Sequence, residues 1–379
     1  MGNSELSYVA EPDPVPERAE AIDGLIGEAL RRGRGARSNR TGRFETQSAE
    51  AFDDGWDLPA DASPTRTTVR DEIAKSIISR NDSPDLSFEQ SINPYRGCEH
   101  GCIYCYARPT HAYLGHSAGI DFESIIYAKT NAAALLRKEL SRPGYVPKTI
   151  ALGAVTDPYQ PVERGLRISR SILDVLEEAS HPVGIVTKSA GILRDLDVLA
   201  RLAQHRLVKV AISVTTLDRG LSRSMEPRAA TPEKRLDTIR QLTQAGIPVT
   251  VMVAPIVPAL NDSEIEKILE VAADAGATEA GYVLLRLPLE LKDLFREWLQ
   301  TDHPDRAKRV ISLLRSMHGG RDYVATFGHR QRGSGPFAEQ IAARFRLALR
   351  RLSLNQRTLR LRTDLFRPPG GRGSQLQLL

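Results

Sequence analysis

Cysteine is almost missing from this chain: three in 379 residues, at positions 98, 102 and 105. An odd count with none elsewhere excludes a disulfide-stapled framework of the secreted kind, so a reducing, intracellular setting is expected. Also lacking is any run of about eighteen apolar residues, the length that a membrane-spanning helix needs. The first twelve residues have neither the basic flank nor the apolar centre of a signal peptide, and Leu6 does not suit a myristoylation pattern. Cytoplasm, with no membrane partner, is the expected location. A strong charge imbalance is absent too, since the net charge of +5 is mild for this length. Nothing in the composition fixes an oligomeric state.

Much of the basic excess sits near the two ends. Arg31, Arg32, Arg34, Arg37, Arg40 and Arg43 punctuate a glycine-containing stretch, and Arg357, Arg360, Arg362, Arg367 and Arg372 stand against Asp364 near the other end. Such arms read as solvated and flexible, or as contacts with nucleic acid or another polyanion. Residues 1–75 are rich in Pro, Gly, Ser, Asp and Arg, with one short helix-like run at 19–32, and are expected to form a weakly ordered basic extension. Residues 76–287 read as the core, 288–355 as a helical part with helices at 288–300, 305–318 and 337–352, and 356–379 as a basic disordered tail. Residues 329–335, basic and glycine-rich, are a candidate anion-binding loop on a weak compositional signal.

Within the core, short β-branched runs alternate with amphipathic helical runs, which argues for parallel βα units. Strands are expected at 148–153, 183–187, 208–214, 249–254 and 280–285, with another near 91–95 leading into the cysteines. Helices are expected at 165–179, 192–204 and 262–275, and one more begins at Thr231-Pro232-Glu233, where Thr caps and Pro takes the first turn. At least six units follow, of α/β class. A partial (β/α)6 TIM-type barrel fits the count, and an open doubly wound sheet would share the pattern.

The cysteines have the spacing C-x3-C-x2-C, with Tyr104 before the last sulfur and Tyr106 after it. Three thiolates this close converge on zinc or an iron-sulfur cluster rather than on a hard cation. A four-iron cubane normally takes four thiolates, so three would leave one iron open unless His100 or His111 fills it. A Cys3His zinc knuckle using either histidine is the alternative, and with the arginine-rich arms it would make a nucleic-acid-binding protein.

The pattern resembles the signature of the radical S-adenosylmethionine (SAM) superfamily. That resemblance implies a [4Fe-4S] cluster held by Cys98, Cys102 and Cys105, with the open iron chelating SAM. It also implies reductive SAM cleavage to a 5'-deoxyadenosyl radical that abstracts hydrogen from a substrate, and an electron donor such as flavodoxin or ferredoxin. In barrels of this kind chemistry gathers at the C-terminal strand ends, and here those ends are polar: residues 156–163, Lys188-Ser189, Ser213 with Thr215-Thr216, and Asn261-Asp262. A lysine at the end of a buried strand is costly unless its ammonium finds a partner, so Lys188 is expected to meet a cleft or an anion, or else to snorkel away from the core.

Residues 91–258 most resemble the spore photoproduct lyase group, through the cysteine loop, the Thr187-Lys188-Ser189 strand end, the Ile212-Ser213-Val214 strand, Met225-Glu226-Pro227 and Lys234-Arg235, and the Val253-Ala254-Pro255-Ile256 strand. The likeness implies that Lys188 and Ser213 bind the SAM carboxylate, that the backbone around Tyr104 meets the adenine, and that Gly153 and Ala154 approach the methionine amino group. Glu226 and Arg235 are expected to form an ion pair of the surface kind, worth about 0–1 kcal/mol. The lyase also uses a further cysteine in the region matching residues 154–157, which this chain lacks, so its reaction is not copied over. Tyr106 or Tyr159 is then a candidate to terminate a substrate radical, and Asp157 with Glu163 is a candidate to orient a polar substrate or serve as acid and base. His111 and His116 are candidates to hydrogen-bond cluster or substrate. The substrate itself is not legible.

Overall fold

A computed structural model describes residues 32–45 and 65–370. Its main sheet carries six parallel strands in chain order: β1 (Gln90–Ile92), β2 (Ile150–Leu152), β3 (Val183–Thr187), β4 (Val208–Ser213), β5 (Val249–Ile256) and β6 (Glu279–Leu284). Each pairs with the next in parallel register, and Ser79–Arg80 adds an antiparallel edge outside β1. β1 and β6 do not pair, so the barrel is partial and open.

Every strand leads to a helix: α1 (Ala132–Leu140), α2 (Ile168–Glu178), α3 (Leu196–Gln204), α4 (Pro232–Gln244), α5 (Ile265–Asp274) and α6 (Leu291–Asp302). Their apolar stripes face the sheet; α2 buries Ile168, Ile172, Leu173, Val175 and Leu176 against it. Local chemistry sets the starts. Arg167 is left-handed at φ +52, so the helix expected from residue 165 breaks there and resumes at Ile168. The Thr231 hydroxyl accepts from Lys234 N, with Pro232 in the first turn, as the sequence predicts for α4. Two further helices, α7 (Pro304–Ser316) and α8 (Pro336–Arg351), complete the C-terminal part. No helix among the described residues is long and apolar enough to cross a membrane.

Three features depart from the sequence reading. A small second sheet pairs Ile125–Ala128 with Thr68–Asp71 in parallel and with Tyr95–Arg96 antiparallel, behind the cysteine loop. Its strands are two to four residues long, too short to show a period. Second, residues 32–45 of the expected weakly ordered arm are packed, with Ala36 and Ser38 fully buried and Arg34 only 4% exposed; Arg31 lies outside the described residues. Third, the tail expected to be disordered runs as far as residue 370 beneath the barrel. Just before it Asn355 N bonds Thr278 O, and within it Leu359 N bonds Glu279, Arg362 N bonds Arg206 O and Arg367 N bonds Ala179 O. Leu365 and Phe366 pack on the core, closing the end where the strands begin. Arg372 falls outside the description. In both segments polar backbone groups find fixed partners, which composition does not reveal.

Candidate functional site

The cysteine loop leaves the C-terminal end of β1. Asn93 follows the strand and its side-chain oxygen accepts from Val155 N at 2.7 Å, tying the turn after β2 to the loop's entry. Gly97 has φ +78, and a Cβ there would lie 2.8 Å from Ile125 O, so the approach to Cys98 requires glycine. The loop is pinned at Cys98 N to Phe122 O (2.9 Å) and at Ile103 N to Met225 O (2.9 Å). Cys98 and Cys102 are buried, Cys105 is half-buried, and all three are free thiols.

Burial pushes the Cys98 and Cys102 thiols well up. Asp157 and the other thiols add to this at Cys98, where the Asp157 N–H opposes it. At Cys102, Glu226 adds to it and the Lys188 ammonium opposes it. Unliganded, these sulfurs are protonated, and a bound cationic centre would take their thiolate form. Among the described residues no three His, Cys, Asp or Glu side chains are placed to hold one metal ion. His100 Nδ1 lies 3.3 Å from Asp157 Oδ2, and His111 Nε2 meets the Ile125 carbonyl at 3.0 Å. Among the described residues neither histidine is placed with the three thiols as a fourth ligand. Three soft thiolates on one loop suit a cluster, which spreads its ligands over several irons.

Around the loop stand the strand-end residues. Gly153 has φ +90, and a Cβ there would fall 2.5 Å from Pro158 Cδ and 2.8 Å from Val186 O. The Ala154 carbonyl accepts from the Tyr106 hydroxyl. Lys188 lies at the end of β3 with its ammonium 5.7 Å from the Tyr104 ring centre, and among the described residues no carboxylate pairs with it. Ser213 ends β4; its carbonyl accepts from Arg235 at 3.1 Å, while its hydroxyl has no protein partner among the described residues.

Asp157 differs from the expectation of an acid or base. Its carboxylate receives Tyr159 N (2.9 Å), the Thr187 hydroxyl (2.7 Å), Lys188 N (2.8 Å) and His100 Nδ1. Burial favours its neutral form, but His100 and these donors outweigh that and hold it at about 2. With its lone pairs occupied it positions the Lys188 backbone and has none to spare for substrate. Tyr159 is likewise sealed: it is 3% exposed and its hydroxyl donates to Asp195 at 3.1 Å. Glu163, 1% exposed, takes the Tyr95 hydroxyl, Ser169 N at 3.1 Å and Arg194 at 2.9 Å. Tyr106 is the open one, 42% exposed, with the Arg286 guanidinium 4.0 Å from its ring centre.

The expected Glu226–Arg235 pair forms, but in the interior, with side chains 0% and 2% exposed. Glu226 also accepts from the Tyr104 hydroxyl and from Thr215 (2.7 Å), so it anchors the aromatic residue of the cysteine loop. His116 spends Nε2 on the Tyr127 hydroxyl at 2.8 Å. In the loop at 329–335, Arg330 is neutralised by Asp85 at 2.6 Å and Arg332 stacks on Tyr282. Sequence reasoning passed over Arg108 and Glu123, a fully buried pair behind the cysteines. The only local sign of it is an arginine three residues after Cys105.

Comparison with known proteins adds to this geometry. Residues 92–272 match the Radical SAM superfamily. An uncharacterized protein of Mycobacterium tuberculosis is 39% identical over 251 residues, covering 65% of this chain and 74% of its own length. An uncharacterized protein of Methanocaldococcus jannaschii is 26% identical over 214 residues, covering 56% and 76%. Among solved structures, a spore photoproduct lyase variant with bound AdoMet and dinucleoside spore photoproduct superposes with TM-score 0.54 at 16% identity, over 75% of this chain and 79% of that one. That similarity is one of fold.

Proposed function

The chain belongs to the radical SAM superfamily, and from that premise we propose that its barrel mouth binds a [4Fe-4S] cluster on Cys98, Cys102 and Cys105 and cleaves SAM reductively to attack a further substrate. Membership implies cluster and SAM; the residue roles are our reading. When bound, the two together supply a 5'-deoxyadenosyl radical able to take a hydrogen atom from a substrate. The observation that carries the reading is the Lys188 ammonium, without a carboxylate partner among the described residues, beside a loop of three free thiols.

Lys188 with Ser213 would hold the SAM carboxylate, through a charge-assisted contact and a free hydroxyl. Gly153 and Ala154 would approach the methionine amino group, with residue 153 held to glycine by Pro158 and Val186 packed against it. Backbone around Tyr104 would meet the adenine, steadied by Glu226 below it. Asp157 acts from behind by fixing the β3 end. Of the two tyrosines, Tyr106 is the more exposed, with its hydroxyl on the Ala154 carbonyl, and is our candidate to exchange hydrogen with a substrate radical; Tyr159 packs.

A one-electron donor of the flavodoxin or ferredoxin kind would supply the reducing equivalent. The N-terminal basic arm gives little support to a nucleic-acid partner. Arg37, Arg40 and Arg43 are spent on Asp302, Glu297 and Glu290, and Arg34 donates to the Glu123 carbonyl. Metal analysis tests the reading. Protein reconstituted anaerobically with iron and sulfide should hold about four irons per chain, and the Cys98→Ala/Cys102→Ala/Cys105→Ala variant none. Stoichiometric zinc without labile iron, or iron undiminished in the variant, would overturn it.

A further inference from the structure

We infer that residues 33–45 form a strap that seats the cysteine loop, with Glu123 as its anchor and Gly35 as its point of contact. The inference rests on the cluster reading for its purpose; the strap itself lies outside the stretch 92–272 that matches the superfamily, while its anchor Glu123 lies within it.

At its near end the strap is built into the loop. Gly35 N and Ala36 N each donate to the Glu123 carboxylate at 2.8 Å, and the Arg34 guanidinium donates to the Glu123 carbonyl at 2.5 Å and to Thr65 O at 2.8 Å. The same carboxylate pairs with Arg108, and neither side chain reaches solvent. Arg108 spends its other donors on the loop itself, Nε to Cys102 O (2.9 Å) and Nη2 to Gly101 O (3.0 Å), and on Ala118 O and Gly119 O. Gly101 lies between the first two cysteines at φ +65, and a Cβ there would strike Glu123 Oε2 at 2.6 Å. The strap backbone is pressed onto the same peptide, so a Cβ on Gly35 would come 1.9 Å from Gly101 O.

At its far end the strap is tied to α6, the last barrel helix. Arg37 bonds Asp302, the Ser38 hydroxyl donates to Glu297 at 2.6 Å, and Arg43 bonds Glu290 at 2.6 Å. The peptide joining Cys98 to Cys102 is thus held from one side by Arg108 and from the other by a segment fixed to the opposite edge of the open barrel. Glu123 joins these restraints and neutralises the buried guanidinium. Seating the loop before metal arrives spares the site the cost of ordering its ligands on binding. Arginines that look like a phosphate-binding arm are then the rivets of a positioning element.

Gly35→Ala in the full-length chain tests this with two readouts. Hydrogen exchange of the unliganded protein should show the amides of residues 98–108 exchanging at least tenfold faster than in the parent, with β4 and β5 unchanged. After anaerobic reconstitution, iron should pass to a ferrous chelator at least tenfold faster. Parent-like exchange and release would overturn the strap. Should Gly35→Ala not fold, Glu123→Gln, which keeps the shape and removes the charge, is expected to show both effects, and parent-like behaviour there counts equally against the proposal. Failure of the parent itself to take up iron would overturn the cluster reading, while the exchange experiment would still decide whether the strap seats the loop.

Discussion

Glu226 offers a sharp test of how the cysteine loop is held, because its surroundings separate charge from hydrogen bonding. Its carboxylate meets Arg235, the Tyr104 hydroxyl and the Thr215 hydroxyl in the interior. Glu226→Ala leaves Arg235 with two carbonyls, Ala230 O at 2.8 Å and Ser213 O at 3.1 Å, and no counter-charge. The hydroxyls have fallbacks, Thr215 on Ala254 O at 3.3 Å and Tyr104 on Thr215 at 3.4 Å, so the stranded guanidinium dominates. Breaking a buried pair from one side costs about 3–5 kcal/mol. Glu226→Gln can turn its oxygen to Arg235 and its amide to the hydroxyls, and should lose about 1–3 kcal/mol. Replacing both partners, Glu226→Leu with Arg235→Met, strands no charge and should be less damaging than Glu226→Ala alone. Urea unfolding of the unliganded protein, followed by circular dichroism at neutral pH, gives all three values. Repeating the series in 1 M salt adds a check, since a surface pair would be screened and this one should not be. A loss below about 1 kcal/mol for Glu226→Ala would be that of an exposed pair and would rule out the buried one.

Two further outcomes are expected. Lys188→Ala should weaken SAM binding about tenfold or more, a lost charge-assisted contact of about 1.5–3 kcal/mol, while iron content stays at the parent level; equilibrium binding to the reconstituted protein measures it, and unchanged affinity counts against the role of Lys188. His181 is drawn down to about 4 by burial, with the Pro182 carbonyl only partly offsetting it. The unfolded chain takes up that proton near pH 6.5 and the folded chain not until about 4, so stability is full above pH 6.5 and falls as pH drops toward 4, by up to about 3 kcal/mol. His181→Gln, able to keep a bond to Tyr145, should flatten that slope in a pH series of urea melts; an unchanged slope would refute the assignment.

The barrel strands were legible because each is a short β-branched run between helical periods, and β3 is observed at the predicted 183–187. Helix starts were legible where capping is chemical, as at Thr231, and not where a single left-handed residue such as Arg167 interrupts an apolar stripe. The cysteines showed themselves because a loop spacing is local information. Arg108 and Glu123 did not, since a buried pair fifteen residues apart leaves no periodic trace. The Glu226–Arg235 pair was visible as a pairing but not as a burial, which only the packing of α4 on the sheet decides. Residues 33–45 and 356–370 misled by composition: their arginines, glycines and prolines suggest free chain, yet fixed carboxylates and carbonyls on distant elements absorb their donors.

SAM cleavage at this barrel mouth, through the cysteine loop, is open to a direct assay. Anaerobically reconstituted protein, reduced with dithionite and given SAM, should release 5'-deoxyadenosine and methionine, measured by liquid chromatography with mass detection. The Cys98→Ala/Cys102→Ala/Cys105→Ala variant treated identically should release neither. No 5'-deoxyadenosine from a fully iron-loaded parent, or equal release from the variant, would contradict the claim.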